Sequence, residues 1–346
     1  MKKVMVAMSG GVDSSAAAVV LRDAGYDIVG GTLRLYEKNG PSPESASAKE
    51  VCQKLGVEHF VFDKRELFRE KVIEAFKNEY DAGRTPNPCI ECNKYLKFGA
   101  LLDEAVSLGC DYIATGHYSK IKEVDGRRLI CRAADTKKDQ TYVLWRLSPE
   151  QLSHILMPLG DLSKDDARAI VEKYDFSCKA AKESQDICFV PDGDYAAFLQ
   201  ELSGLPFEKG EYVDIDGNFL GGNMGHQCYT VGQRKGLGIA LGKPRFVLSK
   251  DPLANKVVLG DEEHLFKKRI YINNVNLQAF DFKNDFTCTA KLRYSAKDSA
   301  CKVFKTGEAE AVLEFREPQR APSPGQSAVF YDGEYLLGGG YILKGE

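Results

Sequence analysis

The run Ser9-Gly10-Gly11-Val12-Asp13-Ser14-Ser15 constrains this chain more than any other segment, because of what stands on either side of it. Residues 4–8 are an uninterrupted apolar stretch that reads as a buried strand, and residues 14–24 carry helical spacing that stops at Gly25. A strand that turns into a helix through two adjacent glycines can curl until successive N–H groups face one concavity. Ser14 and Ser15 add hydroxyl donors, and the new helix turns its positive end to the same spot. The product is an anion site sized for pyrophosphate. Asp13 is expected to cap the helix or to hold a magnesium ion. The loop lacks the lysine of G-x-x-x-x-G-K-[ST], so it is not a Walker loop, and it is not G-x-G-x-x-G.

Alternation continues beyond the loop. Strands are expected over 27–35, 57–62 and 112–115, with helices over 47–55, 65–80 and 97–108, several of them ended by glycine. Residues 38–47 read as a flexible loop. This β-α order predicts an α/β fold with a doubly wound parallel sheet over residues 1–203. From 204 to 264 glycines crowd in and helical periodicity disappears, which predicts a small β-rich central domain. Over 265–346, short alternating segments at 271–277, 288–294, 309–315, 327–331 and 335–342 predict an antiparallel β-barrel.

Composition narrows the partners. No window approaches the roughly 18 apolar residues of a membrane helix, and the first apolar run is too short for a secretory signal. A cytoplasmic protein without membrane contact is expected. The net charge of −3 gives no global attraction for nucleic acid, so any RNA contact must be local. Arg234, Lys235, Lys243 and Arg245 form one local basic group among glycines. Ten cysteines scattered over 346 residues are not the dense pattern of a disulfide scaffold. Only Cys89 and Cys92 are closely spaced.

The glycine loop resembles the S-G-G-x-D-S signature of the PP-loop ATP pyrophosphatases, which adenylate an oxygen and release pyrophosphate. Further motifs follow in order: Asn87-Pro88-Cys89-Ile90-Glu91-Cys92, Thr115-Gly116-His117-Tyr118, Lys138-Asp139-Gln140, Ser184-Gln185-Asp186-Ile187-Cys188, Gly232-Gln233-Arg234-Lys235-Gly236 and Pro324-Gly325-Gln326. Together they resemble the tRNA-specific 2-thiouridylases, which exchange the C2 oxygen of the wobble uridine for sulfur. The resemblance implies an ATP- and Mg2+-dependent sulfurtransferase, active as a monomer on tRNA with lysine, glutamate and glutamine acceptors. It implies a sulfur donor such as a cysteine desulfurase or a relay protein. Ala7, Met8, Ser9, Gly10, Gly11, Val12, Asp13, Ser14, Leu33 and Gly116 match the family's ATP contacts. Asn87, Pro88 and Cys89 match the segment that meets the target base. His117, Lys138, Asp139, Gln140, Arg293, Tyr294 and Gln326 match other tRNA contacts. Cys188 matches the position that carries a persulfide, and Cys92 the partner that attacks it and leaves a Cys92–Cys188 disulfide. Lys94 is a candidate local cation for Cys92, the expected helix at 97 lying too far on to act through its dipole.

Cys89 departs from the family pattern, where many members have an aspartate with an acid/base role; Glu91 and Asp186 are the nearby carboxylates. The change leaves two mechanisms open. Cys92 and Cys188 can run a persulfide relay with Cys89 as a spare thiol, or Cys89, Cys92 and Cys188 can ligate a 4Fe–4S cluster whose fourth iron is open to sulfide. On the residues alone, His117 fits a satisfied histidine at a strand end, and Lys138-Asp139 a solvated charge pair. Two other classes compete with the thiolase: an amidating PP-loop ligase, which would leave the cysteines unused, and a non-catalytic RNA-binding protein, which would leave the intact loop unused.

Overall fold

The computed structural model describes residues 1–36, 43–180, 187–190 and 193–346. A five-stranded parallel sheet is built from β1 (Lys3–Ala7), β2 (Asp27–Arg34), β3 (His59–Asp63), β4 (Tyr112–Ala114) and the short β7 (Ile155–Leu156), in the order β3-β2-β1-β4-β7. Between β4 and β7 the chain makes a hairpin of β5 (Lys120–Val124) and β6 (Arg127–Cys131). β1 shows why the sheet needs both flanking layers. Val4 and Val6 pack with Ala16, Ala17 and Val19 of α1 (Val12–Asp23), while Met5 packs with Phe98, Leu101 and Ala105 on the opposite side. An apolar run buried on both faces belongs in the middle of a parallel sheet.

The helix expected from 47 begins earlier, as α2 (Pro43–Leu55), inside the stretch read as a loop. A larger correction concerns the helix expected from 97. The helical run there starts nine residues sooner, at Pro88, and continues to 107. Asn87 accepts the Cys89 N–H with its side chain (3.2 Å), and Pro88 occupies the first helical position, where its missing N–H costs nothing. The Asn-Pro pair is a helix start as well as a turn signal, and the cysteines lie inside the helix rather than before it.

The second sheet has the order β10-β11-β8-β9, from β8 (Gly210–Val213), β9 (Phe219–Asn223), β10 (Phe246–Asp251) and β11 (Lys256–Gly260). The last six strands are β12 (Phe266–Leu277), β13 (Phe286–Lys291), β14 (Ser299–Lys305), β15 (Ala311–Arg320), β16 (Ser327–Asp332) and β17 (Tyr335–Gly345). They run β12-β15-β14-β13-β16-β17, and β12 pairs with β17 to close an antiparallel barrel. β14 escaped the sequence reading, and the strand expected over 288–294 stops at Lys291, leaving Arg293 and Tyr294 in the connection that follows.

The β5–β6 hairpin turns at Asp125-Gly126, both with positive φ, the geometry a two-residue hairpin turn requires. Its second strand pairs with β17 through Cys131 and Tyr335, and Lys122 pairs with Glu334 at 2.8 Å. The first domain thereby grips the barrel through a shared sheet. No helix among the described residues is long and apolar enough to cross a membrane.

Candidate active site

Chain order reverses at β1, which has β2 on one side and β4 on the other, and a ligand crevice opens at such a switch point beyond the carboxyl ends of the strands. The glycine loop leaves β1 there, and Thr115-Gly116-His117 leaves β4 beside it. Gly10 has φ +75°, which only glycine takes at no cost. The Ser9 N–H donates to Ser14 Oγ (3.2 Å), and the Ser14 and Ser15 hydroxyls both donate to the Gly11 carbonyl (3.1 and 2.9 Å). Ala7 and Met8 end the strand, with Met8 N–H bonded to Gly31 O; Val12 is buried under the loop; Leu33 lies near the end of β2.

Asp13 neither caps the helix nor faces solvent alone. α1 has Gly11 at its N-cap and no side-chain cap, and the Asp13 carboxylate accepts two hydrogen bonds from Lys164 Nζ (2.7 and 2.8 Å) and one from Tyr118 Oη (2.7 Å). This correction matters electrostatically, since a lysine absent from the loop's own sequence is delivered from residue 164 by the fold. Lys164 also lines a basic depression with Lys137, Lys138 and Arg168. Nothing in the local sequence flagged Lys164.

Gly116 closes on the loop. A Cβ there would lie 2.7 Å from the Asp13 carbonyl carbon and 2.8 Å from Ser14 N, both backbone atoms that cannot swing aside. Gly116→Ala is therefore expected to cost about 1–3 kcal/mol by overpacking, and to weaken ATP binding by distorting the loop. Thermal denaturation with and without ATP measures both effects.

Cys92 is buried with Phe68, Val72, Phe76 and Leu96, in the same cluster as Phe189. The Phe189 ring meets Phe68 and Phe76 edge-on at 5.6 and 5.4 Å, and so anchors the turn that carries Cys188. Cys89 and Cys188 are exposed at the surface. Cys92 stands within the electrostatic reach of both, and burial pushes its thiol up to about 12, opposed by Lys97 and reinforced by Cys188 and Cys89. The protein mass around Cys89 also raises its thiol, again opposed by Lys97. The relevant cation is thus Lys97, not Lys94, whose Nζ lies 5.1 Å over the Tyr95 ring. The reason is a π-helix over Cys92–Ala100. Its i→i+5 repeat brings residues 92 and 97 onto one face, which α-helical spacing does not.

A thiol held this high is almost entirely protonated at neutral pH, and its thiolate grows about tenfold for each pH unit below the midpoint. Alkylation of Cys92 by iodoacetamide in the protein without ligands is expected to rise steadily from pH 7 to 10. A plateau near the ordinary cysteine range, read by peptide mass spectrometry, would contradict the burial effect.

The expected tRNA contacts divide. Arg293, Tyr294, Ser295 and Gln326 line a cleft of about 210 Å³ with Thr85 and Thr230. Gln326 donates to the Thr85 carbonyl (2.7 Å), tying the barrel to the segment that leads into Cys89, and Cys89 acts electrostatically on Tyr294. Arg293 donates to Val231 O and Ala321 O (2.7 and 3.0 Å), while its buried Nε has no partner among the described residues. His117, in contrast, is buried, bonded through Nδ1 to Thr115 Oγ1 (2.7 Å), and held well below the usual imidazole range by burial. Asp139 accepts from Ala133 N–H and from Thr141, and Gln140 accepts from Tyr118 N–H. These three shape the loops beside the site. Lys138 lies in the basic depression. Within the basic group at 234–245, Lys243 and Arg245 are paired with Asp261, which leaves Arg234 and Lys235 exposed.

Glu91 is engaged structurally. Arg146 meets it at 2.6 Å and Tyr341 Oη donates to it, a half-buried triad linking the cysteine helix to β17. A carboxylate so saturated does not stand in for the family's aspartate. Asp186 lies outside the described residues. Leu33 packs against both the cluster holding Cys92 and the cluster holding Met5 and Phe98, and the His117 ring lies 5.8 Å from Phe98.

Three family profiles match in succession: a tRNA methyl transferase HUP domain over residues 2–192, a tRNA methyl transferase PRC-barrel domain over 196–261, and an aminomethyltransferase beta-barrel domain over 267–342. A tRNA-specific 2-thiouridylase MnmA of Clostridioides difficile is 46% identical, covering 99% of this chain and 98% of its own length. One from Carboxydothermus hydrogenoformans is 44% identical over the same shares. Among solved structures, the U34-tRNA thiolase NcsA from Methanococcus maripaludis with its [4Fe-4S] cluster aligns over 59% of this chain and 63% of its own, at 16% identity and a TM-score of 0.37.

Proposed function

The chain belongs to the tRNA-specific 2-thiouridylases, and from that premise we propose that it carries out wobble-uridine thiolation through a Cys188–Cys92 relay fed by the adenylating glycine loop. It is a sulfurtransferase that uses ATP and acts on tRNA. The observation that carries the relay is the placement of Cys92 and the Cys188 turn on one aromatic cluster, bordered by the Leu33 end of β2.

The uridine C2 oxygen is a poor leaving group until ATP transfers AMP to it and pyrophosphate departs. Loop N–H groups and the α1 terminus receive the phosphates. Lys164 is placed to shift its ammonium from Asp13 toward them. Asp13, already saturated by Lys164 and Tyr118, is not set up as a magnesium ligand in this arrangement, and Mg2+ is best read as entering with the ATP phosphates. Cys188, exposed at the surface, receives a persulfide from a donor protein such as a cysteine desulfurase or relay protein. The Cys92 thiolate attacks Cys188 Sγ, the S–S bond breaks, and the terminal sulfur leaves as hydrosulfide. Hydrosulfide adds to C2, AMP departs, and a Cys92–Cys188 disulfide remains for an external thiol to reduce. Asn87, Pro88 and Cys89 present the base, and the Arg293–Gln326 cleft receives a neighbouring part of the tRNA. A monomer suffices, since one chain supplies every group, and the cytoplasm supplies both ATP and tRNA.

The three-cysteine cluster gains no support from this geometry. Among the described residues no three cysteine, histidine or acidic side chains are grouped to hold a metal ion.

The test is nucleoside mass spectrometry of tRNA incubated with the protein, ATP, magnesium and a persulfide donor. Appearance of 2-thiouridine at the wobble position is expected, under aerobic conditions and without iron. Thiolation that appears only in anaerobic, iron-loaded protein would overturn the relay in favour of the cluster.

A further inference from the structure

One pair of sulfurs stands outside this chemistry. Cys288 on β13 and Cys301 on β14 are direct cross-strand partners, with Sγ atoms 3.7 Å apart. Cys301 is buried in the barrel core and Cys288 is partly open to solvent. The connection between these strands, residues 292–298, carries Arg293, Tyr294 and Ser295, half of the residues lining the cleft. The pair therefore sits at the root of the hairpin whose tip forms the cleft wall.

We propose that Cys288 and Cys301 are a redox modification site, closed to a cross-strand disulfide by low-molecular-weight disulfides, which pins the hairpin that carries the Arg293–Ser295 wall. Cys288 is the more accessible thiol of the pair and reacts first. Its thiolate displaces one thiolate from the small disulfide and forms a mixed disulfide. The Cys301 thiolate then attacks Cys288 Sγ, forms the Cys288–Cys301 bond and expels the second thiolate. Two cysteine thiols are oxidised, one small disulfide is reduced to two thiols, and both protons pass to the departing thiolates. Bond formation draws the sulfurs from 3.7 Å to about 2.05 Å, a distance that side-chain rotation across paired strands can cover.

The experiment incubates the native full-length protein with oxidised glutathione, followed by peptide mapping without reduction and by amide hydrogen exchange. A linked 288–301 peptide is expected, with exchange over 292–298 slowed several-fold and restored by dithiothreitol. Cys301→Ala should remove both signals and keep thiolation activity, and Cys288→Ala serves as the second variant should Cys301→Ala not fold. Native protein that yields no 288–301 linkage, or stops at glutathionylated Cys288, overturns the proposal. Neither readout depends on the thiolation mechanism.

Discussion

Cys188→Ser is expected to abolish 2-thiouridine formation while leaving ATP–pyrophosphate exchange in the presence of tRNA close to wild type. The fall in thiolation should be on the order of 10³-fold or more, as for loss of a covalent nucleophile. Serine cannot carry sulfane sulfur, but the glycine loop, Lys164 and the Arg293–Gln326 cleft are untouched by the change. Cys92→Ser should give the same split with one added signature. A persulfide delivered to Cys188 persists, because nothing attacks it, and mass spectrometry should find one extra sulfur on the Cys188 peptide. Loss of exchange together with thiolation in either variant would mean that the cysteines support the fold of the site rather than sulfur transfer. Cys89→Ala separates the remaining roles, since a spare thiol can be removed with modest loss and a required ligand cannot.

Lys164→Ala is the second large expectation, and its effect should fall on the first half-reaction. The lysine is the charge partner of Asp13 at 2.7 Å, and its side chain is only 12% exposed. Its removal leaves a carboxylate facing the loop where three phosphates must arrive. Exchange should fall roughly 10²- to 10³-fold, the range for losing one preorganised electrostatic contact in an active site. Lys164→Arg should recover part of it. The double variant Asp13→Asn, Lys164→Ala should be less impaired in ATP binding than Lys164→Ala alone, because the stranded negative charge is gone. Equal exchange in Lys164→Ala and wild type, measured with saturating ATP, would show that the pair only fastens the helix beginning at residue 164 to the loop.

Much of the first domain was legible because its signals are local. A buried apolar run, two glycines and a helix pattern determine a strand-loop-helix whatever the rest of the chain does, and the alternation that follows permits little besides a parallel sheet. The cysteine pair and its distant third member were legible only through collinear resemblance, since no spacing rule joins residue 92 to residue 188. Helix starts were misjudged where a residue has two uses. Asn87-Pro88 is a turn signal and equally a cap followed by a tolerated first-turn proline. The strand at 299–305 was missed because only Cys301 and Val303 along it are buried, too short a run to read as alternation.

By itself, then, the sequence determined the strand–loop–helix at the glycine loop and the α/β-then-β order of the chain, because each rests on neighbours in the chain, while the candidate relay cysteines were legible only through resemblance along the whole chain. The tertiary structure alone decided which charges act on them. Lys164 reaches Asp13 across 151 positions, and Lys97 reaches Cys92 through a π-helical repeat. Glu91 is withdrawn from chemistry by Arg146 and Tyr341, and His117 is buried against Phe98. Electrostatic coupling depends on distance and burial in space, and neither quantity is encoded in spacing along the chain.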